Sequence, residues 1–524
     1  MKERILSSLL TVLAFSALQA QGTVVPVAPR LVVAITVDQL RSDYLEAFLN
    51  LYGEQGLKRL WREGKVYDQV VYSFKHVDRA SAQAAIYSGT SPFKNGIVAA
   101  QWLDRASLRP INCVDDRDFI GYYTEDCTSP KHLLVSTLTD ELEIATRGEA
   151  MVYAVAPHRE MAVIAAGHAA DGAYWLNENT GEWCTSSYYG ECPRWLERYN
   201  DKDGVSGRIN GLQWEPALPM SAYDNPIREG AFSYGFVGEN RFRKLKASPC
   251  VNDEVNRLAG ALLEGTSVGK DEVTDFLSVT YHAGSYQSES MHESYLEMQD
   301  TYVRLDKDVA SLIDLIDKKV GLEYTLFVVT STGYTDYVPL DYTLYRVPAG
   351  EFYINRATAL LNMYLMALYG EGQYVEAYHG LQIYLDRKLL EKKQLRLKDV
   401  LERSAEFLAE LSGVQKVYTA HDFLLGGMSA EYEQMRNSYN VHRSGDLIIE
   451  VNAGWKLMNT ETRDVKMVYD GHVDFPLVFM GAGIASGVID TPVTTDCIAP
   501  TLALLMRIRA PSGSHAPPAP AIRR

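Results

Sequence analysis

Residues 30–38, RLVVAITVD, form an almost continuous apolar run that ends in Asp38. A strand that is apolar on both faces is typical of a parallel sheet covered by helices on both sides. Similar runs at residues 151–156, 161–166, 276–280, 324–330 and 475–480 predict further strands, with helical segments between them. We therefore predict an α/β sandwich with a mostly parallel central sheet and helices on both faces. Because ligands bind beyond the carboxyl ends of such strands, Asp38 is a candidate site residue; a turn-capping Asp is the alternative.

Residues 71–102, VYSFKHVDRASAQAAIYSGTSPFKNGIVAAQW, contain the second informative feature. They predict a helix from Ala80 to Tyr87 that stops at Gly89. A helix N-terminus that follows a strand-like run is a natural place to hold an anion or to activate a nucleophile. The residue at that place is Arg79, whose guanidinium stays protonated and cannot be a nucleophile at neutral pH.

The net charge limits the possible partners, and the N-terminus indicates the compartment. A net charge of −16 argues against nucleic acid or an anionic membrane surface as the main partner. Residues 1–20 predict a signal peptide, because Lys2 and Arg4 precede an apolar run and Leu18-Gln19-Ala20 fits a cleavage site. No cysteine follows that site, and no other apolar run is long enough to span a membrane. We expect a periplasmic or secreted protein without a transmembrane segment.

The six cysteines fit an oxidising compartment. Two pairs flank short polar loops, and we predict them to be local disulfides: Cys113 with Cys127, and Cys184 with Cys192. Cys250 and Cys497 remain, and the sequence leaves open whether they pair or stay free. No CxxC motif or zinc-type Cys/His spacing occurs, so all six are predicted to be structural.

The predicted main domain covers residues 28–508. Two irregular stretches, at about 176–250 and 347–460, are predicted to be insertions that cap the carboxyl ends of the strands. Residues 510–524 are rich in Pro, Ala and Ser, and we expect a disordered tail.

Several segments, in this order, resemble the alkaline phosphatase superfamily, in particular its secreted bacterial phosphate monoesterases and nucleotide phosphodiesterases. They are RLVVAITVDQLRSDYL (30–45), AAIYSGTSPFKNGIVAAQWLD (84–104), AGHAADGAYW (166–175), DTYVRLDKDVASLIDLIDKK (300–319) with YTLFVVT (324–330), FPLVFMGAGI (475–484) and TTDCIAPTLALLM (494–506). The resemblance implies an α/β sandwich and two zinc ions held by Asp and His. It also implies a zinc-activated Thr or Ser hydroxyl that attacks phosphorus.

The family's functional positions fall on unusual residues in this chain. The first metal-binding aspartate matches Asp38, and the nucleophile position falls on Arg79. The remaining metal positions fall on Ser285, Glu289, Thr332, Gly333 and Asp474, with His472 two residues before the last. The phosphate-binding Asn position falls on Ala100, and the Lys and Arg positions of the monoesterase type fall on His158 and Glu160.

These matches predict an emptied metal site with no catalytic and no metal-binding residue. An arginine would repel a dication, and Ser, Thr and Gly are not credible zinc ligands. We expect an ion pair between Arg79 and Asp38 in place of the metal cluster, and no cofactor. The resulting hypothesis is a catalytically inactive, secreted binding or scaffolding component of the cell envelope, with a protein partner there.

The alternative is a phosphate- or sulfate-ester hydrolase, monoesterase or diesterase, with a nonstandard metal site. Ser81 would then be a displaced nucleophile, although a first-turn Ser more often bonds to the backbone. Loop or surface roles are predicted for four histidines near the landmarks: His76, His282, His292 and His472. A single Ca²⁺ or Mg²⁺ held by Asp38, Glu289 and Asp474 is a further option. His168 is predicted to be structural.

Overall fold

The computed structural model describes residues 28–224, 230–284, 286, 291–335, 349–425, 429–460, 464–467 and 473–522. The predicted signal peptide, Ser285, Glu289, His472 and the side chain of His292 lie outside the described part.

The strands are β1 Leu31–Asp38, β2 Lys65–Val71, β3 Gln101–Asp104, β4 Arg109–Asn112, β5 Gly121–Tyr122, β6 Val152–Ala156, β7 Gly172–Leu176, β8 Trp183–Ser186, β9 Gln213–Trp214, β10 Tyr234–Gly235, β11 Asp275–His282, β12 Thr325–Ser331, β13 Glu351–Tyr353, β14 Val375–His379, β15 Gln382–Leu385, β16 Val414–Thr419, β17 Leu447–Val451, β18 Lys456–Asn459, β19 Asp464–Met467, β20 Phe475–Gly481, β21 Gly487–Ile489 and β22 Val493–Thr494.

The helices are α1 Ser42–Ala47, α2 Leu57–Glu63, α3 Arg79–Ser88, α4 Pro92–Asn95, α5 Leu138–Thr146, α6 Arg159–Ala166, α7 Arg194–Lys202, α8 Arg241–Lys246, α9 Cys250–Gly265, α10 Met291–Lys319, α11 Ile354–Tyr369, α12 Arg387–Lys392, α13 Leu397–Ala409, α14 Ala420–Leu425, α15 Ala430–Ser438 and α16 Ile498–Met506. Within the described ranges, no helix is long and apolar enough to cross a membrane.

The central sheet has the strand order β21-β2-β20-β12-β1-β11-β6-β7-β8-β5, and β22 also pairs with β2. Strand β1 lies in its middle and pairs in parallel with β11 and with β12. Strands β6 and β7 continue the parallel part, whereas β20 joins β12 and β2 in antiparallel orientation. The predicted mostly parallel sheet is confirmed.

Each face of the sheet carries a hydrophobic core. Alternate side chains of β1, such as Leu31 and Val33, pack on one face against α9 and α10. The other face, which includes Val32 and Ala34, is covered by α3, α5, α6 and α16. Helices on both faces bury nearly every side chain of β1, which explains its continuous apolar sequence.

The region after β12 builds a second unit with its own core. A four-stranded sheet of order β14-β15-β17-β16 packs with α11 and α13 around Leu361, Ile383 and Ile449. Its contacts with the main sheet include Asn437, Ser438 and Glu450, which reach residues 73–76 just before α3.

Two local predictions are wrong. Residues 161–166 belong to helix α6 rather than to a strand. The run MAVIAA is buried on all sides, so its apolar pattern does not distinguish a helix from a strand. The tail after residue 510 is ordered as far as residue 522. Ala519 is buried, its N–H donates to Thr501 Oγ1 at 2.7 Å, and the Tyr67 hydroxyl donates to the Pro520 carbonyl. Apolar packing and backbone hydrogen bonds outweigh the polar, proline-rich composition here.

The predicted disulfides are also wrong, because all six cysteines are free thiols. Asp115 forms an antiparallel bridge with Thr128. The Asp116 N–H donates to the Cys127 carbonyl at 2.9 Å, whereas Cys113 lies in the turn before Asp115, and the two thiols are not joined.

The other cysteines are separated by the central sheet. Cys184 packs in the core on one face, whereas Cys192 packs against the core on the other. Cys250 and Cys497 are divided in the same way, so they cannot pair either.

Candidate active site

Three strand ends meet at the carboxyl edge of the central sheet. Asp38 ends β1, and the parallel register places it beside His282, the last residue of β11. Thr332 directly follows the neighbouring strand β12. Apolar strands thus deliver a carboxylate, an imidazole and a hydroxyl to one place, where open α/β sheets bind ligands.

The Asp38 carboxylate is almost completely buried. Its Oδ1 accepts a hydrogen bond from Thr332 Oγ1 at 3.0 Å, and the same hydroxyl accepts the Gln39 N–H at 2.9 Å. Its Oδ2 has no hydrogen-bond partner among the described residues. Gln39 has a φ of 65°, an uncommon backbone conformation for a residue other than Gly, and it stands directly beside this carboxylate. Since Thr332 bonds only Oδ1, Oδ2 is the carboxylate oxygen that is available to the site.

Arg79 supplies the positive charge that this buried carboxylate needs. It is the first residue of α3, whose N-cap is Asp78. Its Nη2 lies 3.5 Å from Asp38 Oδ2, its Nη1 lies 3.8 Å from Glu160 Oε1, and its Nε donates to the Tyr334 hydroxyl at 3.2 Å. The predicted ion pair of Arg79 with Asp38 is confirmed.

Charge, rather than burial, decides the protonation of this pair. Burial raises the pKa of Asp38, but Arg79, His282 and the Thr332 hydroxyl outweigh that effect, and the pKa lies below its usual value. Burial likewise lowers the pKa of Arg79, yet Tyr334, Asp38 and Glu160 raise it well above its usual value. Both groups are therefore ionised at neutral pH.

His282 is the site residue whose role the sequence misjudged. It is buried rather than exposed on a loop, and its Nδ1 lies 3.7 Å from Asp38 Oδ2. Neither ring nitrogen has a hydrogen-bond partner within the described ranges. Its backbone is fixed by Asn252, which accepts the His282 N–H at 2.8 Å and donates to its carbonyl at 2.9 Å. The available signal was its place directly after an apolar strand, which is also the place of Asp38.

A polar cavity of about 880 Å³ is lined by Glu160, whose carboxylate lies 3.8 Å from Arg79. Its wall includes His158 and Glu160 at the start of α6 and Lys246 at the end of α8. Burial, Arg79 and Lys246 lower the pKa of His158 well below its usual value, so its imidazole is neutral. The resemblance had marked His158 and Glu160, whereas Lys246 carried no signal in the sequence.

The other predicted positions have structural roles. The N–H of Ala100 donates to Asp78 Oδ2 at 2.6 Å, and Ser81 is buried in a capping box with Asp78. His168 is structural, as predicted, because its ring contacts Asp140 Oδ2 at 2.8 Å and the Leu133 carbonyl at 3.1 Å. The Ser81 hydroxyl is therefore not placed as a nucleophile.

Gly333 and Asp474 do not join Asp38. Gly333 has a φ of 61°, and a Cβ there would lie 2.3 Å from the Phe475 ring. Asp474 lines a different cavity, of about 710 Å³, together with Arg41 and Trp61.

At the positions that the resemblance matched to metal ligands and the nucleophile, the described residues do not fit a pair of zinc ions. Thr332 offers a hydroxyl that is already bonded, Gly333 offers no side chain, and Arg79 lies in contact distance of Asp38. In the part of the chain that the structure describes, His, Cys, Asp and Glu form no group of three or more that could hold a metal ion.

Comparison with known proteins agrees with this fold. Residues 32–474 match the family described as type I phosphodiesterase / nucleotide pyrophosphatase. The chain belongs to this family.

Two named relatives cover nearly the whole chain. One is the alkaline phosphatase PafA of Elizabethkingia meningoseptica, which is 30% identical over 96% of each chain. The other is the alkaline phosphatase PhoV of Synechococcus elongatus, which is 28% identical over 93% of this chain and 91% of the relative. A crystal structure of PafA matches with a TM-score of 0.81 and covers 94% of this chain and 98% of its own. The predicted membership of the alkaline phosphatase superfamily is confirmed.

These relatives overturn two predictions. The hypothesis of an inactive binding or scaffolding protein is corrected, because relatives of nearly full length are named alkaline phosphatases. The prediction of no cofactor is corrected on the same finding, since the resemblance to this class implies two zinc ions. Their names point to phosphoester hydrolysis, which was the alternative interpretation of the sequence.

Proposed function

We propose that the protein hydrolyses phosphoric esters at a site whose polar groups differ from the two-zinc arrangement implied by the resemblance. The observation that carries the proposal is the cluster of Asp38, His282 and Arg79 at the carboxyl ends of β1 and β11. Relatives named alkaline phosphatases, matching over more than nine-tenths of the chain, support phosphate esters as the substrate class.

Arg79 is the group that would bind and orient the phosphoryl oxygens. Its two terminal nitrogens lie near Asp38 and Glu160 at 3.5 and 3.8 Å, without hydrogen bonds inside the described ranges. Their N–H groups are therefore free to donate to an oxyanion, and guanidinium binds phosphate in bidentate fashion. The N-terminus of α3, where Arg79 stands, adds a favourable potential for negative charge.

His282 is the group that would activate water. A ring nitrogen takes a proton from the water as its oxygen bonds to phosphorus, and the bond from phosphorus to the leaving oxygen breaks. The leaving oxygen departs with the bonding electrons and is protonated by solvent. Asp38, 3.7 Å from Nδ1, stabilises the imidazolium that forms.

Hydrolysis of p-nitrophenyl phosphate, bis(p-nitrophenyl) phosphate and p-nitrophenyl sulfate by the purified protein tests this proposal. The assays run on the protein as isolated, after chelation and with added zinc, alongside metal analysis. We expect phosphate-ester turnover, and a loss of at least about 100-fold in kcat/KM for His282→Asn and for Asp38→Asn. The exposed His442 supplies a matched control, since His442→Asn should change kcat/KM less than twofold. A folded protein that turns over none of the phosphate esters under any metal condition would overturn the proposal.

We further propose that the protein works in the periplasm or outside the cell. The basic residues, apolar run and cleavage site in residues 1–20 support this location. Fractionation of cells that express the full chain tests it, because an unprocessed protein that stays in the cytoplasm would contradict it. The envelope protein partner stays a prediction.

A further inference from the structure

Helix α11, in the second unit, exposes an apolar face to solvent. One side of the helix packs into the core of that unit. The outer side carries three large apolar side chains: Met363, which is 57% exposed, Leu360 at 43% and Met366 at 36%. One of the sixteen residues of α11 is charged, Arg356, whereas the neighbouring α13 has five charged residues among thirteen. The outer face of a surface helix is normally polar, so this face marks an interaction surface.

The exposed residues form a single stripe centred on Met363. At about 100° of rotation per residue, the side chains three, four and seven positions from Met363 in either direction lie within about 60° of it. The five central members of the stripe are apolar and exposed: Ala359, Leu360, Met363, Met366 and Ala367. When the helix is reversed about Met363, Ala359 exchanges with Ala367 and Leu360 exchanges with Met366. The stripe therefore matches a second copy of itself that runs in the opposite direction.

The two ends of the stripe carry opposite charges. Arg356 is exposed near the start of α11, where its guanidinium lies 4.1 Å from the centre of the Tyr353 ring. Glu371 is exposed two residues after the end of the helix. Neither Arg356 nor Glu371 forms an ion pair with another residue of the described ranges. If two copies of α11 run antiparallel with Met363 at the two-fold axis, Arg356 of each copy reaches the level of Glu371 of the other.

We propose that the protein forms a two-fold symmetric dimer in which the α11 helices of two copies pair in antiparallel orientation. A two-fold interface has to be complementary to itself, which holds here for the apolar stripe and for its terminal charges. A membrane surface fits less well, because interfacial helices are rich in Lys and Arg, whereas α11 has one basic residue in a chain of net charge −16. One helix pair is smaller than a standard interface, so we expect a dissociation constant of about 10 μM. None of these residues belongs to the candidate active site, so the dimer does not depend on the proposed hydrolysis.

Analytical ultracentrifugation of the purified protein over a series of concentrations tests the dimer. Met363→Lys would place two ammonium groups face to face at the axis, and it should weaken dimerisation at least about tenfold. Leu368 supplies the matched control, because it is 48% exposed on the same helix but lies about 140° away from Met363. Leu368→Lys should therefore change the dissociation constant less than about twofold. Thermal unfolding checks that each variant is folded.

Charge reversal tests the antiparallel orientation. Arg356→Glu and Glu371→Arg should each weaken the dimer about threefold or more, because each puts like charges opposite one another, and the double variant should restore it. A double variant as weak as the single ones would overturn the antiparallel pairing. A protein that stays monomeric far above the expected dissociation constant, or a dimer that Met363→Lys leaves intact, would overturn the proposal. Sedimentation with phosphatidylethanolamine/phosphatidylglycerol vesicles covers the other occupant, since a monomer that binds them through Met363 would also overturn it.

Discussion

Replacing Arg79 by Met should destabilise the protein through the carboxylate that it leaves behind. At the 3.5 Å separation of Arg79 Nη2 and Asp38 Oδ2, two unit charges interact by about 5 kcal/mol at an effective dielectric constant of about 20. The contact is longer than a hydrogen bond, and the Arg79 side chain is 19% exposed, which weakens the interaction. We therefore expect Arg79→Met to lower the free energy of unfolding by about 3 kcal/mol at pH 8, the lower end for a broken buried pair.

The loss of unfolding free energy in Arg79→Met should increase as the pH rises from 5 to 8. In the parent, the depressed pKa of Asp38 gives stability that is present above the unfolded-state pKa and is lost as the pH falls through the folded-state pKa. Without Arg79, burial dominates and raises the pKa of Asp38, so the variant loses stability as the pH rises from 5 to 8. Urea unfolding at both pH values measures the two effects.

A double variant separates this cause from lost packing. Asp38→Asn in the Arg79→Met background should restore about 2 kcal/mol, because no buried charge is then left without a partner. The exposed pair of Arg257 and Asp253 provides the control, since both side chains are more than half exposed and Arg257→Met should cost under about 0.5 kcal/mol. A double variant as unstable as Arg79→Met would refute the electrostatic reasoning.

Three further outcomes follow from individual residues. Burial, with Asp171 and Asp275, raises the pKa of Glu143 to about 7, so the parent loses stability as the pH rises toward 7. The Glu143→Gln variant should therefore unfold at a higher temperature than the parent at pH 8, and at a similar temperature at pH 5. Thiol titration without reductant should find six thiols per unfolded chain, and four or fewer would contradict the free cysteines. Gly333→Ala should cost at least about 1 kcal/mol in urea unfolding, because its φ of 61° and the Phe475 ring both oppose a Cβ.

The central part of the fold and half of the site could be predicted because they depend on local patterns. An apolar run buried on both faces identifies β1, and its polar end identifies Asp38. Helix α3 begins one residue before its predicted start, and its Asp-x-x-Ser capping box fixes Arg79 at its mouth. From these two placements, the need of a buried carboxylate for a cation was enough to predict their ion pair.

His282 and Lys246 depend on tertiary arrangement, which the sequence does not encode locally. The register of β1 with β11 brings His282 to Asp38, and a register cannot be read from one strand. Lys246 ends a six-residue helix with several basic residues, and its burial depends on how the first insertion packs in three dimensions. For Asp474, the sequence predicts the position along the chain but not the direction of the side chain. It stands at the start of β20, as expected, but its side chain lines another cavity.

The second insertion reaches the candidate site through the backbone that precedes Arg79. Ser438 Oγ accepts the N–H groups of Lys75 and His76 at 2.8 and 3.0 Å, and Asn437 donates to the Ser73 carbonyl at 2.8 Å. These bonds fix the segment that leads into α3, so the insertion sets the position of the guanidinium without contacting it. The first insertion contributes Lys246, which lines the polar cavity together with Glu160. The central sheet thus supplies Asp38 and His282, while the second insertion fixes the backbone that presents Arg79 to them.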